Sequence, residues 1–277
     1  MSFSTVKTMH LDMLETTRSI EGAFSTMQYS TLNEKFNIEQ DTDLPPGEYP
    51  KIRYIAIGNG GHRNVSGGNG GLQDILQHSV TDAALFNHLP FIMRETNDDL
   101  TPSEREKYRL RKVEVHGGKE YYVYYLRKVT LSTTTPQVST IDTDNGSTTT
   151  QEFTPSSSML SPTPVTMENG KVVETTGKHI SVQVPVKIEL TQTDIQEIIN
   201  AAEIIHGDSR YAIISEISIV SAIDLTVNST QGGNNVNYTE AVGAQCCNFI
   251  GANTNLNASN KLVTLNYDLG TTQPLLL

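Results

Sequence analysis

The chain has 277 residues and a formal net charge of −11 at pH 7. This length suffices to bury the core of one large domain or of two small ones. The acidic balance argues against binding of nucleic acid through a basic surface, so we expect no nucleic-acid partner.

The composition is low in hydrophobic residues, at 36%, and in charged residues, at 18%. Asn, Ser, Thr and Gly make up the difference, which is typical of β-rich proteins with long polar loops. The N-terminus lacks the basic and then apolar pattern of a secretory signal. No apolar run approaches the ~20 residues of a membrane span. We therefore expect synthesis in a cytosol and no membrane partner.

Motifs that carry chemistry do not stand out. The two cysteines, Cys246 and Cys247, are adjacent and match no spaced disulfide or zinc pattern. His78, Asp82 and His88 do not share the spacing of metal ligands on one helix face. No GxSxG, HExxH or CxxC is present. The sequence therefore predicts no catalytic residue, metal or cofactor, and a protein that is not an enzyme.

Two other classes of function remain as alternatives. Carboxylates that converge from distant positions escape a motif search, so a hydrolase built from them is the second class. A carbohydrate-binding adhesin is the third class. It would need exposed aromatic platforms, and the absence of tryptophan counts against it.

Residues 1–50 are predicted to form an N-terminal helix and an arm. The helix is indicated by apolar residues at helical spacing, namely Val6, Met9, Met13 and Leu14. It docks either on its own domain or on a neighbouring chain.

Residues 51–130 are predicted to form the first part of a β-rich domain. A strand over 51–57 leads into a glycine-rich loop over 58–71. This loop does not end in Gly-Lys-Ser/Thr and opens no long helix with GxGxxG, so a flexible surface loop is expected rather than a phosphate site. A short helix is predicted within 82–93, ending before Pro90. Thr101, Pro102 and Glu104 form a helix-capping box.

The central feature of the sequence is a β-hairpin over 108–130 with a two-residue turn at Gly117 and Gly118. The predicted register pairs Val115 with Glu120, Val113 with Tyr122, Arg111 with Tyr124 and Arg109 with Leu126.

The second strand of this hairpin carries apolar residues on both faces, whereas a strand with one wet face should alternate. Its second face is covered either by the chain's own core or by another subunit. Arginine and tyrosine are enriched at protein interfaces. The candidate protein interface therefore comprises Arg109, Arg111, Tyr121, Tyr122, Tyr124 and Tyr125.

Residues 131–179 are rich in Ser and Thr and poor in apolar residues. They are predicted to be an insertion, a β-arm or a partly disordered loop. Glu168 to Lys171 are expected to turn a small hairpin.

Residues 180–277 are predicted to form the C-terminal part of the β-rich domain. A helix over 193–206 is capped by Thr191 or Thr193 and ended by Gly207, with an apolar stripe that includes Ile195 and Ile198. Further predictions are strands over 179–188, 211–220 and 261–269, a polar loop over 228–237 and a helix over 238–250. The fold class is α+β, mostly antiparallel β-sheet and sandwich-like, with a few short helices and long polar loops.

Three stretches resemble structural proteins of tailed bacteriophages. Residues 52–58, IRYIAIG, resemble the strand that opens tail-fibre and baseplate-attachment domains. Residues 214–221, ISEISIVS, resemble their later Ser-Glu-Ile-Gly-Leu strand, with Ser218 at the position of the glycine. Residues 82–91, followed by Tyr108 to Arg111 and the tyrosine-rich strand, resemble structural proteins of contractile tails. The resemblance covers about half of the chain.

This resemblance implies a multi-copy virion protein of the baseplate-wedge type without catalytic residues. Its expected partners are other virion proteins, from the baseplate, tail tube or fibres, and copies of itself. Its expected location is the virion tail, after assembly in the host cytoplasm. The alternative within this class is a neck, collar or tail-fibre adaptor protein.

Overall fold

The computed structural model describes residues 5–38, 44–64, 73–131, 135–144, 147–172, 174–231, 234–258 and 262–276. The strands of this part of the chain are β1 Thr5–Lys7, β2 Lys51–Gly58, β3 His62–Asn64, β4 Gln73–Ile75, β5 His88–Leu89, β6 Ile92–Glu95, β7 Tyr108–His116, β8 Lys119–Lys128, β9 Gln137–Asp144, β10 Ser147–Glu152, β11 Met167–Glu168, β12 Lys171–Val172, β13 Glu174–Leu190, β14 Ile213–Gln231, β15 Asn234–Asn255 and β16 Val263–Leu276. The α-helices are α1 Met9–Ser19, α2 Leu32–Phe36, α3 Pro102–Arg105 and α4 Gln192–His206.

Strands predominate among the described residues, their main pairings are antiparallel and the helices are short. This confirms the predicted α+β class. The chain forms two compact units. Unit 1 comprises Met1–Val129 and Leu190–Val263, and unit 2 comprises Thr130–Glu189 and Thr264–Leu277. The stretch 180–277, grouped together on sequence, is thus divided between the units, because β16 pairs with β13.

Unit 1 is built on an eight-stranded sheet in the order β1-β15-β14-β2-β8-β6, with β5 paired to β2 and β7 to β8. The predicted strand over 51–57 is its central strand β2. Tyr54 and Ala56 of β2 are fully buried and belong to a core that includes Leu32 and Phe36 of α2. The core of unit 1 therefore joins the sheet to this short helix.

The β7–β8 hairpin has the predicted register at all four positions. Gly117 and Gly118 have φ of +58° and +79°. These are the two positive angles that a type I′ turn requires. The capping box at Thr101 also forms, and it starts α3 at Pro102. Local turn and capping chemistry therefore determines this part of unit 1.

The prediction of a helix over 238–250 is wrong, because these residues lie in β15. The buried residues on one face are Ala241, Ala244, Cys246 and Phe249. The ladder with β14 shifts register twice here, where Gly243 (φ +59°) and Cys247 add extra residues to β15. Each bulge lengthens the spacing of inward residues from two to three, so a strand shows a nearly helical pattern.

The N-terminal helix α1 packs on β15 of its own unit. Val6 precedes the helix, in β1, and pairs with Phe249. The residues that α1 buries are His10, Leu11 and Leu14, so the predicted stripe is only partly the buried one. The alternative of docking on the chain's own domain therefore holds for α1.

The predicted helix over 193–206 is α4. Thr191 caps its N-terminus by accepting a hydrogen bond from the backbone N–H of Asp194, and Gly207 (φ +70°) ends it. Ile195, Ile198 and Ala202 are buried. The helix stripe thus faces the interior of unit 1.

Unit 2 contains a four-stranded sheet in the order β10-β9-β13-β16. The alternation predicted for the last strand is present, with Val263, Leu265, Tyr267 and Leu269 half-buried between exposed neighbours. β11 and β12 form the small hairpin expected at 168–171. In the described part of 131–179 only Ser139 is buried. This segment therefore forms strands but encloses almost no core.

We predict that Ile198→Asp destabilises unit 1 by several kcal/mol, because Ile198 is fully buried and an unpaired carboxylate there would lose its hydration (roughly 2–7 kcal/mol). Thermal and urea unfolding of the purified protein measure the effect. Gln196→Asp, at an exposed position of the same helix, is the control and should change stability by less than about 0.5 kcal/mol. Equal stability of the two variants would show that the stripe is not part of the core.

Candidate functional site

The longest feature of the fold is the hairpin of β14 and β15. The two strands pair from Ile213 and Asn255 out to Gln231 and Asn234. β2 covers β14 only from Glu216 to Ala222. Beyond Asp224, among the described residues, the two strands pair only with each other. At about 3.3 Å per residue this two-stranded ribbon, here called the arm, extends roughly 23 Å.

The predicted polar loop over 228–237 is the outer part of the arm, so that prediction is wrong. Asn228 pairs with Asn237, and Thr230 pairs with Asn235. Backbone hydrogen bonds of the ladder hold these polar residues in strands. The turn residues 232–233 lie outside the described residues.

The root of the arm is fixed first by Asp224. Its carboxylate accepts hydrogen bonds from Arg53 Nη1 at 3.1 Å and from the Tyr54 hydroxyl. Arg109 Nε lies 3.6 Å from the same carboxylate and forms an ion pair. Burial and the hydrogen bond to Asp224 raise the pKa of the Tyr54 phenol. The acidic side chain of β14 is thus held by two cations from neighbouring strands.

Glu240, on the opposite strand of the arm, ties the root to β7. Its Oε1 accepts hydrogen bonds from the backbone N–H of Leu110 at 2.7 Å and of Ala241 at 3.0 Å. Burial raises the pKa of the Glu240 carboxyl, against the opposing effect of these hydrogen bonds. Leu110 has φ +53°, a left-handed conformation that leucine rarely adopts. The irregular backbone of β7 is therefore joined to the arm root through the Glu240 carboxylate.

The six residues of the candidate interface fall into two groups. Arg109, Tyr121, Tyr124 and Tyr125 are buried within the chain. Tyr124 donates a hydrogen bond to Asp99, and the Tyr125 ring stacks on Phe36 with centroids 3.9 Å apart. The chain's own core therefore covers these four, and they offer no free surface to a partner.

The other two residues, Arg111 and Tyr122, are half-exposed. The Arg111 guanidinium lies over the Tyr122 ring, 3.6 Å from its centroid, and donates to Asp99 at 2.8 Å. Val113 and Val115 on the same hairpin are 50% and 65% exposed. An exposed patch thus remains only near the end of the hairpin.

A buried carboxylate forms a second polar centre in unit 1. Glu216 of β14 is 1% exposed. Its Oε1 accepts hydrogen bonds from the backbone N–H of Gly60 (3.1 Å) and Asn87 (3.0 Å). Its Oε2 accepts from the backbone N–H of Phe86 (3.0 Å) and lies 2.9 Å from His78 Nε2. One side chain therefore fastens two loops to the central sheet.

His78 extends this centre to a second carboxylate. Its Nδ1 lies 2.9 Å from Asp82 Oδ2. The imidazole stacks between the rings of Phe86 and Phe249, at centroid distances of 4.0 and 3.9 Å. Both ring nitrogens of His78 thus face carboxylate oxygens.

The start of the glycine-rich loop is shaped by this carboxylate. A Cβ on Gly60 would lie 2.7 Å from the backbone nitrogen of Asn87, and one on Gly61 would lie 2.6 Å from the Ser215 carbonyl oxygen. Glycine is required here because loop and strand approach closely. The backbone N–H of Gly60 donates to the Glu216 carboxylate, and that of Gly61 donates to Ser215 Oγ at 2.8 Å. The rest of the loop, residues 65–72, lies outside the described residues.

The helix predicted within 82–93 is absent because the Glu216 carboxylate binds backbone donors of this segment. The backbone N–H groups of Phe86 and Asn87 donate to Glu216 instead of to helix carbonyls, and the segment continues into β5 and β6. Sequence analysis missed Glu216. The available signal was a single acidic residue inside the apolar strand over 211–220.

The Glu216 and His78 side chains of this centre are buried. Three backbone N–H groups donate to the Glu216 carboxylate, and His78 is stacked between two rings, whereas the Asp82 side chain is 32% exposed. Cys246 and Cys247 are buried as well, and burial raises their pKa to about 12 and about 11.

Within the described ranges, no group of three or more His, Cys, Asp or Glu side chains is placed to hold a metal ion. No helix in the same ranges has the length and apolar character needed to span a bilayer.

A family model matches residues 2–277, and the chain therefore belongs to DUF7208, a family of unknown function. Comparison with curated proteins and with solved structures found no match.

We predict that Glu216→Gln lowers the free energy of unfolding by roughly 1–3 kcal/mol, because an amide NH₂ group in place of either carboxylate oxygen would face at least one backbone N–H donor and leave it unpaired. Urea denaturation measures the loss. Glu120→Gln, at an exposed site of β8, is the matched control and should fall within about 0.5 kcal/mol of the wild type. If both variants unfold at the same urea concentration, Glu216 does not hold the two loops.

Proposed function

We propose that this protein is a structural subunit of a bacteriophage tail, in the baseplate, and that it works by binding other virion proteins and copies of itself. The observation that carries the proposal is the arm. It is a two-stranded ribbon with a rigid root and, in the part of the chain that the structure describes, no third strand along its outer half. Exposed strand edges are templates for pairing with other chains.

The rigidity of the root supports this role. Asp224 and Glu240 lie opposite Ala241 and Leu225 in the ladder, at the point where the ribbon leaves the sheet. Both carboxylates are held by groups of β2 and β7. A contact element that is ordered before binding costs less conformational entropy to dock. The arm is therefore suited to present its outer half to a partner.

Unit 2 supports the same role through its poor core. Its four-stranded sheet exposes Val182 at 41%, and its β11–β12 hairpin exposes Met167 at 60%. A sheet needs a covered hydrophobic face for stability. Burial of these side chains against other proteins would supply it. Placement in a phage tail rests on the sequence resemblance of 52–58, 82–91 and 214–221 to tail proteins.

Shortening the arm tests the proposal. Residues 228–237 are replaced by Asn-Gly, so that Val227 and Tyr238, which pair in the ladder, flank a two-residue turn. A two-residue turn is closed by a pair of residues that hydrogen-bond to each other. Such pairs alternate with non-hydrogen-bonded pairs along an antiparallel ladder. Gln231–Asn234 is a hydrogen-bonded pair beside a two-residue connection, and Val227–Tyr238 lies an even number of positions from it, so it is hydrogen-bonded too. We expect normal thermal stability and at least about tenfold less protein in tail particles. Mass spectrometry of particles from a complemented deletion phage measures the amount.

The matched control replaces Gly117-Gly118 with Asn-Gly, which preserves the type I′ turn of the β7–β8 hairpin. This variant should enter particles like the wild type. Full incorporation of the arm-shortened protein would contradict the arm as the binding element. Absence of the wild-type protein from purified tails would contradict the virion role itself.

A further inference from the structure

We propose that β10 of unit 2 pairs antiparallel with β10 of a second copy of this chain, joining two four-stranded sheets across a twofold axis. This inference deepens the proposed function and rests on it, because it names one partner and the strand that binds it. The observation behind it is that β10 ends the sheet, and among the described residues no strand lies on its outer side.

The direction of the free backbone groups follows from the β9–β10 ladder. Asp144 and Ser147 pair next to a two-residue connection, so they form a hydrogen-bonded pair. The N–H of Phe153 donates to the carbonyl of Val138 at 2.9 Å. Odd-numbered residues therefore bond to β9. The N–H and C=O groups of Thr148, Thr150 and Glu152 point away from it.

This edge lacks the usual protection against pairing. All six residues of β10 are exposed, Glu152 at its end is its single charged residue, and none of them is proline. Two other long edges differ. β16 contains Pro274, and β7 carries Arg111, Lys112 and Glu114. Charged residues and proline on edge strands prevent association. β10 is thus the long edge of the unit 2 sheet that is open to strand addition.

A second copy suits this edge because the sequence is self-complementary. In the paired strands, each residue whose backbone N–H and C=O point away from β9 must lie opposite another such residue. An antiparallel register centred on Thr150 meets this condition. Thr150 then faces Thr150, Thr149 faces Gln151 and Thr148 faces Glu152. No like charges meet, although the whole chain carries −11. Threonine pairs across strands are favourable. Three outward pairs supply about six backbone hydrogen bonds.

Thr150→Pro is the test, and Thr150→Val is its matched control. Proline removes one outward N–H and leaves the β9 side of the ladder intact, whereas valine keeps the N–H and the β-branched shape. Sedimentation equilibrium of the full chain over a hundredfold concentration range measures the dimer dissociation constant. We expect the same constant for the wild type and Thr150→Val, and at least about tenfold weaker association for Thr150→Pro.

A monomeric wild type over that range would overturn the proposal, and so would a Thr150→Pro variant that dimerises normally. Amide hydrogen exchange of the wild type gives a second measurement, which does not depend on folding of the proline variant. The amides of Thr148, Thr150 and Glu152 should be protected at high concentration only, and unchanged exchange would also overturn the proposal.

The arm-shortened variant separates this proposal from the proposed function, because its β10 is intact. It should dimerise like the wild type while failing to enter particles. A wild type that enters tails through its arm but never dimerises would overturn the β10 contact alone.

Discussion

The buried carboxylate of Glu216 is the constraint on which the rest of unit 1 depends. A carboxylate at 1% exposure is tolerated only when donors replace its hydration shell. Those donors come from the loop after β2 and from the loop before β5, and neither can be helical while it serves this role. Glu216 therefore determines the path of two loops and holds β14 to them.

The same strand then becomes one side of the arm. Its root is fixed by two further carboxylates, Asp224 and Glu240, whose partners lie on β2 and β7. The bulges of β15 within 238–250 accommodate this geometry, since a bulge bends and twists a strand. Acidic side chains facing inward thus anchor a projecting ribbon, and the proposed binding role uses the rigidity that they provide.

The two units differ in how many side chains they bury within the chain. Unit 1 buries aromatic side chains whose hydroxyls meet acids, as Tyr124 meets Asp99 and Tyr108 meets Asp194. Unit 2 buries little, and its strands expose apolar residues and an unprotected edge. A sheet of this kind gains stability from association, which agrees with a protein that works in an assembly.

The sequence by itself determined the features that depend on local chemistry. These are the Gly117–Gly118 turn with its register, the capped helices α3 and α4, and the half-buried alternation of β16. Each follows from backbone angles, caps or side-chain period within a few residues. The α+β class followed from these predicted strands, turns and short helices taken together.

Only the tertiary structure decided where distant groups meet. Residues 82–93 had helical signals, but a carboxylate more than a hundred residues away takes their N–H groups. The spacing over 238–250 looked helical because bulges against β14 break the period of two. Arg109 and three of the tyrosines appeared suited to an interface, yet they are buried inside unit 1. Amphipathic patterns show that a face is covered, but the covering partner depends on contacts between remote segments, which no local pattern contains.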